Sequence, residues 1–581
     1  MVTPIVLATT IFTAQSTAFL VTPKTEAQIK IRNSGFIAAA CCTKSFSTFP
    51  LKESSFSGHH TPNAKDVRFQ HGVLKIREIM TSKTRGYIEL EELIMVDIIQ
   101  RLGLEDYFRE EMHVALEKLR VKSGTLKDGD GKFYEVALCF RLLRQNGYHV
   151  PADVFYKFKD NDGKFKHELY KDVKALLSLF ESSQLSTTGE DILGEACDFS
   201  RQYLEDALKD IVSEQPKARI IVNTLRFPYH KNLARLLAKN FLLDFDVSLK
   251  ILHDLSTVKE WMNEVQELAL IDFEMAQMTY KNEVEEISKW GKTLNLDNLT
   301  FARIEPFKWC MWSFGIFPGP SMSEERLELA KAVSFAYIID DIFDSCGRYD
   351  ELYLFTKAIN RWEYADIKGL PNNYMKVCFK ALLETTDDFS YKIQTKHGWN
   401  PLELLRNLWA EHCNACLLES KWSVARYSPT ADEYLNNGIV TSGTHVVLAH
   451  AFFLIGQGIN KRSLEELKTL PSIISSAATI LRLWNDAGIH TDKTPNGYDG
   501  SYVDIFMKEQ KCSSSDCARR HVRQMISDAW KCLNEEYVSP ISPFSKDFKV
   551  ACVNLTRVVP FMYTGHLGGV MDISIFSRSL D

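Results

Sequence analysis

Three aspartates fall within five residues at the end of an apolar run, Ser334-Phe335-Ala336-Tyr337-Ile338-Ile339-Asp340-Asp341-Ile342-Phe343-Asp344. In a helix, Asp340 and Asp344 stand one turn apart and continue the stripe of Val333, Ala336 and Tyr337, which should face a core. Like charges at that spacing repel, and burying carboxylates without a partner is costly, so the pattern calls for a cation. Hard oxygen ligands favour Mg²⁺ or Mn²⁺, and Mg²⁺ typically binds through one or two carboxylates together with substrate phosphates. The plain alternative is an exposed acidic helix end. A second polar face lies at Arg482-Leu483-Trp484-Asn485-Asp486, and Arg303 precedes an aromatic-rich stretch from Trp309 to Phe317. Each arginine alone reads as a surface residue. Together these groups suit a diphosphate clamped between metals and two guanidiniums, beside an aromatic pocket. Asp387-Asp388 lacks the third acid and the apolar stripe and reads as a solvated loop. His412-Cys413 with Cys416 resembles half a zinc site, but no second pair follows at ligand spacing, so these read as buried helix residues.

The elements that must position these groups are helical. The chain has 581 residues, for which about 150 residues per domain suggests roughly four units. Only 28 are Gly and 18 Pro, fewer than average usage gives. With 45% hydrophobic and 11% aromatic residues, a large core can be buried and wholesale disorder is excluded. Apolar residues recur at three- and four-residue spacing over 88–102, 136–143, 173–180 and 196–212, predicting helices there. No run of alternating strands with tight hairpins appears, so the fold class is all-α. Asp128-Gly129-Asp130-Gly131 and Asp160-Asn161-Asp162-Gly163 lack the remaining positions of a calcium loop and read as inter-helix turns. The chemistry-bearing residues follow position 300, placing a boundary near residue 275. The net charge of −6 and the scattered basic residues leave no footprint for nucleic acid. The one basic knot, Arg519-Arg520-His521 with Arg523, reads as a solvated helix face. Thirteen cysteines form no disulfide framework and read as reduced, intracellular thiols.

Residues 1–50 are a different text. They contain one acidic residue, Glu26, and thirteen Ser or Thr. An acid-poor, hydroxyl-rich, weakly basic segment has the composition of an organelle transit peptide. Residues 5–21 are fairly apolar but lack the charged start of a secretory signal, and they fall short of the about 20 consecutive apolar residues of a membrane span. Residues 1–55 are therefore expected to be a plastid transit peptide. Without a functional one, the location would be cytoplasmic.

The chain resembles plant class I terpene synthases from about residue 60 to its C-terminus. The aspartate-rich motif matches as Asp340-Asp341-Ile342-Phe343-Asp344, an upstream arginine motif as Arg303, and the second metal motif as Arg482-Leu483-Trp484-Asn485-Asp486, in the family's order. The resemblance implies an N-terminal helical domain over 56–275 and a C-terminal catalytic domain over 276–581, a class I terpenoid synthase helical bundle with the active site between its helices. It implies that Asp340, Asp341 and Asp344 bind Mg²⁺ (or Mn²⁺), that Asn485 binds a further ion of three, and that Arg303 and Arg482 hold the diphosphate. Trp309, Trp312, Phe335 and Tyr337 are candidates for lining the pocket, with core packing as the alternative for each. The N-terminal half has no Asp-x-Asp-Asp, which argues against protonation-initiated cyclisation. A chain-elongating prenyltransferase would carry a second aspartate-rich motif where this chain has Asn485-Asp486.

Three departures refine the resemblance. The tandem arginine followed by Trp is absent near residues 55–75, and Glu305 stands where a second arginine is usual. Both features resemble the subfamily making acyclic alcohols such as linalool and nerolidol. So do Trp309-Cys310-Met311-Trp312, Gly497-Tyr498-Asp499-Gly500-Ser501-Tyr502 and Tyr563-Thr564-Gly565-His566-Leu567-Gly568. The second metal motif, however, has Ile489 where a hydroxyl is expected and Lys493 where a Glu is expected. Asp492, seven residues after Asn485, lies nearly on the same helical face and is the candidate substitute. The expected activity is ionisation of geranyl diphosphate by a monomeric enzyme with no membrane span, and water addition to give linalool, with farnesyl diphosphate giving nerolidol. The competing readings are geraniol, ocimene or myrcene as product, or an inactive helical interaction protein with a broken second metal site.

Overall fold

A computed structural model describes residues 64–83, 90–123, 132–209, 211, 215–255, 259–489, 501–511 and 514–563. The expected transit segment, the turn at Asp128, Asp492, Lys493, the 497–502 motif except its last two residues, and the 563–568 motif beyond Tyr563 lie outside them. Among the described residues there are twenty-two α-helices and no strand beyond one isolated bridge between Lys159 and Phe165. That bridge closes the Asp160 turn, where Asp160 Oδ1 accepts from the amides of Asp162 and Lys164. Asp387 and Asp388 sit in the long helix Asn373–His397 rather than in a loop. The acidic pair is accommodated there because Tyr364 Oη donates to Asp387 and Lys392 pairs with Asp388 one turn on.

The buried apolar side chains form two large cores. One gathers residues from Phe69 to Ala269, the other from Leu233 to Tyr563. A single 34-residue helix, Glu260–Thr293, serves both. Trp261, Met262, Val265, Leu268 and Ala269 pack in the first core, while Tyr280 and Ile287 pack in the second. Position 275 therefore falls inside a continuous helix and carries no break in the backbone. Polar contacts also join the two bodies: His230 Nε2 meets Asn534 Oδ1 at 2.8 Å, and Tyr537 Oη donates to the Gln145 carbonyl at 2.8 Å.

The acid-bearing helix is Ser323–Asp341. Its first turn is anchored by buried Arg326, which donates to both oxygens of Glu283 (2.9 and 2.7 Å) and to the Phe317 carbonyl. From Ile342 to Cys346 the chain passes into a π-turn, closed by the Gly347 amide on the Ile342 carbonyl. A π-turn winds less per residue than an α-helix and is frequent at functional sites. Asp344 is consequently not at the simple one-turn α-helical offset from Asp340.

Beside it, helix Pro306–Ile316 packs against helix Lys546–Tyr563 so closely that a Cβ on Gly315 would stand 2.1 Å from Val558 Cγ2. Gly315→Ala should therefore cost about 1–3 kcal/mol by overpacking, read as an earlier midpoint in urea unfolding. The stretch Ala431–Ile455 is long and apolar enough to cross a membrane by composition, but 78% of its most apolar window is buried inside the fold. It is two core helices, Ala431–Thr441 and Thr444–Ile455, separated at Ser442-Gly443. Gly443 takes the left-handed φ of 68° that lets the chain break there.

Candidate active site

At the C-terminal end of Ser323–Asp341, Asp340 and Asp341 are 4% and 2% exposed. Both oxygens of Asp341 are taken by Arg303. Oδ2 accepts from the Arg303 backbone amide at 2.8 Å, and Oδ1 accepts from Nε at 2.8 Å and from Nη2. The three aspartates thus do not share one role: Asp341 faces a guanidinium, because the loop before Pro306 brings Arg303 directly over it. Asp340 Oδ2 is buried with no hydrogen bond, and its nearest cation is Arg303 Nη2 at 3.7 Å. Burial, reinforced by neighbouring Asp344, pushes the Asp340 carboxyl well above the usual carboxylate range. Two close acids, one with an unsatisfied buried oxygen, match the needs of a hard divalent cation.

The second polar face is on helix Ser472–Ile489. Arg482 is 1% exposed. It donates to Tyr434 Oη and to Thr441 Oγ1 (3.3 Å), lies 3.3 Å from Asp486 Oδ1 and 3.9 Å from Glu419 Oε1, and rests over the Tyr434 ring. Asp486 also accepts the Tyr502 amide, 3.1 Å away. Asn485 is buried, and its Nδ2 has no hydrogen-bond partner among the described residues. Ile489 ends the helix and brings no ligating atom.

Glu419, on helix Leu402–Ala425, is the acid that sequence reasoning missed. It accepts from Thr441 Oγ1 at 3.0 Å and from Asn437 Nδ2 at 3.3 Å, and burial raises its pKa. A signal existed: His412, Cys416 and Glu419 recur at four and three residues along an apolar face, the pattern that singled out Asp340. His412 and Cys416 are buried helix residues, and burial lowers the His412 pKa to about 4. Tyr434 and Thr441 had no such signal, since both are ordinary helix residues.

A largely apolar cavity lies beside these groups. Trp312, Val333, Ala336, Tyr337, Leu481 and Leu555 form its walls, with Thr441, Ser442 and Thr444 at the helix break. Val333 and Tyr337 lie one or two turns before Asp340, Leu481 precedes Arg482, and Thr441 bonds to Arg482, so the cavity wall is next to the polar groups in three helices. Trp312 Nε1 donates to Tyr337 Oη at 2.9 Å. Of the four aromatics expected here, Trp312 and Tyr337 take part. Phe335 instead packs between Trp290 and Trp409, and Trp309 is fully buried in the core. Phe335, two residues before Tyr337, is turned to another face of its helix, and Trp309 lies one turn before Trp312. Glu305 pairs with Lys308 at 2.6 Å.

A charged centre at one end of an apolar cavity can bind a molecule with an anionic head and a hydrocarbon tail. Residues 292–532 match the family model described as "Terpene synthase family, metal binding domain", and residues 44–225 match "Terpene synthase, N-terminal domain". The chain belongs to the terpene synthase family. It is an enzyme of the carbon–oxygen lyase type, in a family that uses prenyl diphosphates and divalent metal. Among curated relatives, "Probable terpene synthase 13" of Ricinus communis is 46% identical over 86% of this chain and 85% of its own. An "(E)-nerolidol synthase" of Cannabis sativa is 42% identical, covering 87% and 90%. The "S-(+)-linalool synthase, chloroplastic" of Arabidopsis thaliana is 40% identical, covering 87% and 86%. Among solved structures, grey poplar isoprene synthase in complex with three Mg²⁺ ions and dimethylallyl-S-thiolodiphosphate superposes with a TM-score of 0.77, at 32% identity over 85% of this chain and 92% of that one. This terpene synthase is therefore similar along most of its length to enzymes whose names state both acyclic and other products.

Proposed function

We propose that this terpene synthase ionises geranyl diphosphate and captures water at the tertiary carbon to release linalool, and that farnesyl diphosphate yields nerolidol by the same chemistry. The observation that carries this reading is an apolar cavity whose wall includes Tyr337, one turn before Asp340, and Thr441, which accepts from Arg482. Asp340 and Asp344 would hold one divalent ion and Asn485 would contribute to another, with Asp492 replacing the ligands that Ile489 and Lys493 lack. Three ions, Mg²⁺ or Mn²⁺, would when bound neutralise the departing diphosphate. Asp341, also expected to bind metal, would in addition orient Arg303, which with Arg482 supplies fixed positive charge where the leaving group gains negative charge. The Trp312 and Tyr337 rings face the hydrocarbon, where an aromatic face favours an allylic cation. Glu305 in place of a second arginine and the linalool and nerolidol synthase relatives support an acyclic alcohol over a ring.

The N-terminal body over 56–275 serves as a helical support and 276–581 as the catalytic domain, acting as a monomer. The hydroxyl-rich, acid-poor segment 1–55 and the relatives named chloroplastic support a plastid address. With geranyl diphosphate and Mg²⁺, the full chain should release inorganic diphosphate, and EDTA should lower that release more than 100-fold, consistent with the several kcal/mol a Lewis-acid metal supplies. Release that persists in EDTA would contradict a metal-assisted ionisation.

A further inference from the structure

The alcohol reading requires a place for one water beside the cation, and the cavity wall offers a specific one. Most of that wall is hydrocarbon. Apart from Trp312 and Tyr337, whose polar atoms bond each other, its polar side chains lie at the break between Ala431–Thr441 and Thr444–Ile455. Thr441 is already engaged, between Glu419 and Arg482. Ser442 Oγ lies 2.7 Å from the Ile439 carbonyl and 2.9 Å from Thr444 Oγ1. Each hydroxyl has one proton. The Ser442 proton goes to the Ile439 carbonyl, which can only accept. Ser442 Oγ is also in donor geometry to Thr444 Oγ1 and accepts the Thr444 backbone amide at 3.3 Å. Lone pairs of Thr444 Oγ1 remain, at the cavity wall and 1% exposed to solvent.

We infer that Ser442 and Thr444 are positioning residues that hold the product-forming water, and that they set the partition between alcohol and hydrocarbon. The inference rests on the linalool reading above. A water donating one proton to Thr444 Oγ1 presents its own lone pair to the cavity. Thr441, the neighbour of this pair, contacts Arg482, so the water sits at the diphosphate end of the cavity and not at the far end of the hydrocarbon chain. Ionisation breaks the C1–O bond, and the electron pair leaves with the diphosphate. Positive charge is shared between C1 and C3, two bonds apart. Water oxygen forms the new bond at C3, and the excess proton passes to an oxygen of the departed diphosphate. The products are the tertiary alcohol and protonated diphosphate. Where no water is held, the same cation loses a proton to the diphosphate, from the methyl on C3 to give myrcene or from C4 to give ocimene, and leaves as an acyclic triene.

A plain capping role for these hydroxyls would affect stability but not product identity, so product partition is the discriminating readout. Wild type, Ser442→Ala, Thr444→Val, Thr444→Ser and Tyr337→Phe would be incubated with geranyl diphosphate and Mg²⁺, and the ratio of linalool to myrcene plus ocimene measured by gas chromatography in whatever turnover remains. The ratio should fall at least tenfold in Ser442→Ala and in Thr444→Val, and return to within threefold of wild type in Thr444→Ser, which keeps the hydroxyl. Ratios within twofold of wild type in both deletion variants would overturn the inference. So would a fall confined to Tyr337→Phe, which would move the water to the phenol. Loss of all products from the two deletion variants would also overturn it, because a group that only holds water is not needed for ionisation. A wild type that makes terpenes but no alcohol would instead refute the linalool reading itself, and is distinguishable on the same chromatogram.

Discussion

Asp340→Asn should reduce terpene formation by about a thousandfold, the scale on which removing a preorganised charge-stabilising group acts, without destabilising the folded protein. The two effects separate because of where Asp340 sits. It is buried beside Asp344, one of its oxygens has no hydrogen bond, and burial holds its carboxyl well above the ordinary range. Those features are costs in the ligand-free fold and assets only when a cation arrives. An amide of the same shape removes the repulsion, so the metal-free melting temperature should stay level or rise. Mg²⁺ with inorganic diphosphate should raise the melting temperature of wild type, since a ligand that binds only the folded state stabilises it, and should do so much less in the variant. A variant that kept its activity, or lost it together with its fold, would contradict this assignment. Asp341→Asn makes an informative contrast, because its carboxylate holds Arg303 and its loss should loosen that arginine.

Arg482→Met should be the most destabilising single change at the site, about 3–5 kcal/mol, the usual cost of removing one partner from buried ion pairs. Arg482 is the cation beside both Asp486 and Glu419, and its guanidinium also donates to Tyr434 and Thr441. Removing it leaves two buried acids facing each other with fewer donors. Urea unfolding would measure the loss. Glu419→Gln added to Arg482→Met should restore part of it, because groups in one network are not additive. A loss below 1 kcal/mol in the single variant would mean that Asp486 and Glu419 are satisfied without Arg482.

The helical fold was readable from scarce Gly and Pro and from three- and four-residue apolar spacing, and the predicted stretches 136–143 and 173–180 lie inside helices Phe133–Gln145 and Val173–Ser183. The buried side chains gather in two large cores rather than four, and the boundary expected near 275 falls inside helix Glu260–Thr293, between Ala269 of one core and Tyr280 of the other. At the site, Asp340, Arg303, Arg482 and Asn485 were legible as polar residues on apolar faces. Their pairing was not. That Asp341 turns to Arg303 depends on a loop crossing over a π-turn, and neither has a spacing signature. For Phe335 and Trp309 the sequence leaves pocket lining and core packing both open, because aromatic residue type does not reveal which side of a helix meets the cavity. Ser442 and Thr444 matter through the helix break that Gly443 allows, and Thr-Ser-Gly-Thr reads in sequence as an ordinary turn.

The central claim is that this chain breaks the allylic C–O bond of an isoprenoid diphosphate and lets water capture the cation at its tertiary carbon. The most direct test is incubation with geranyl diphosphate and Mg²⁺ in ¹⁸O-labelled water, with products analysed by gas chromatography and mass spectrometry. Linalool carrying the ¹⁸O label is the predicted result. No terpene above a boiled control, or an alcohol that retains the unlabelled oxygen of the substrate, would contradict it.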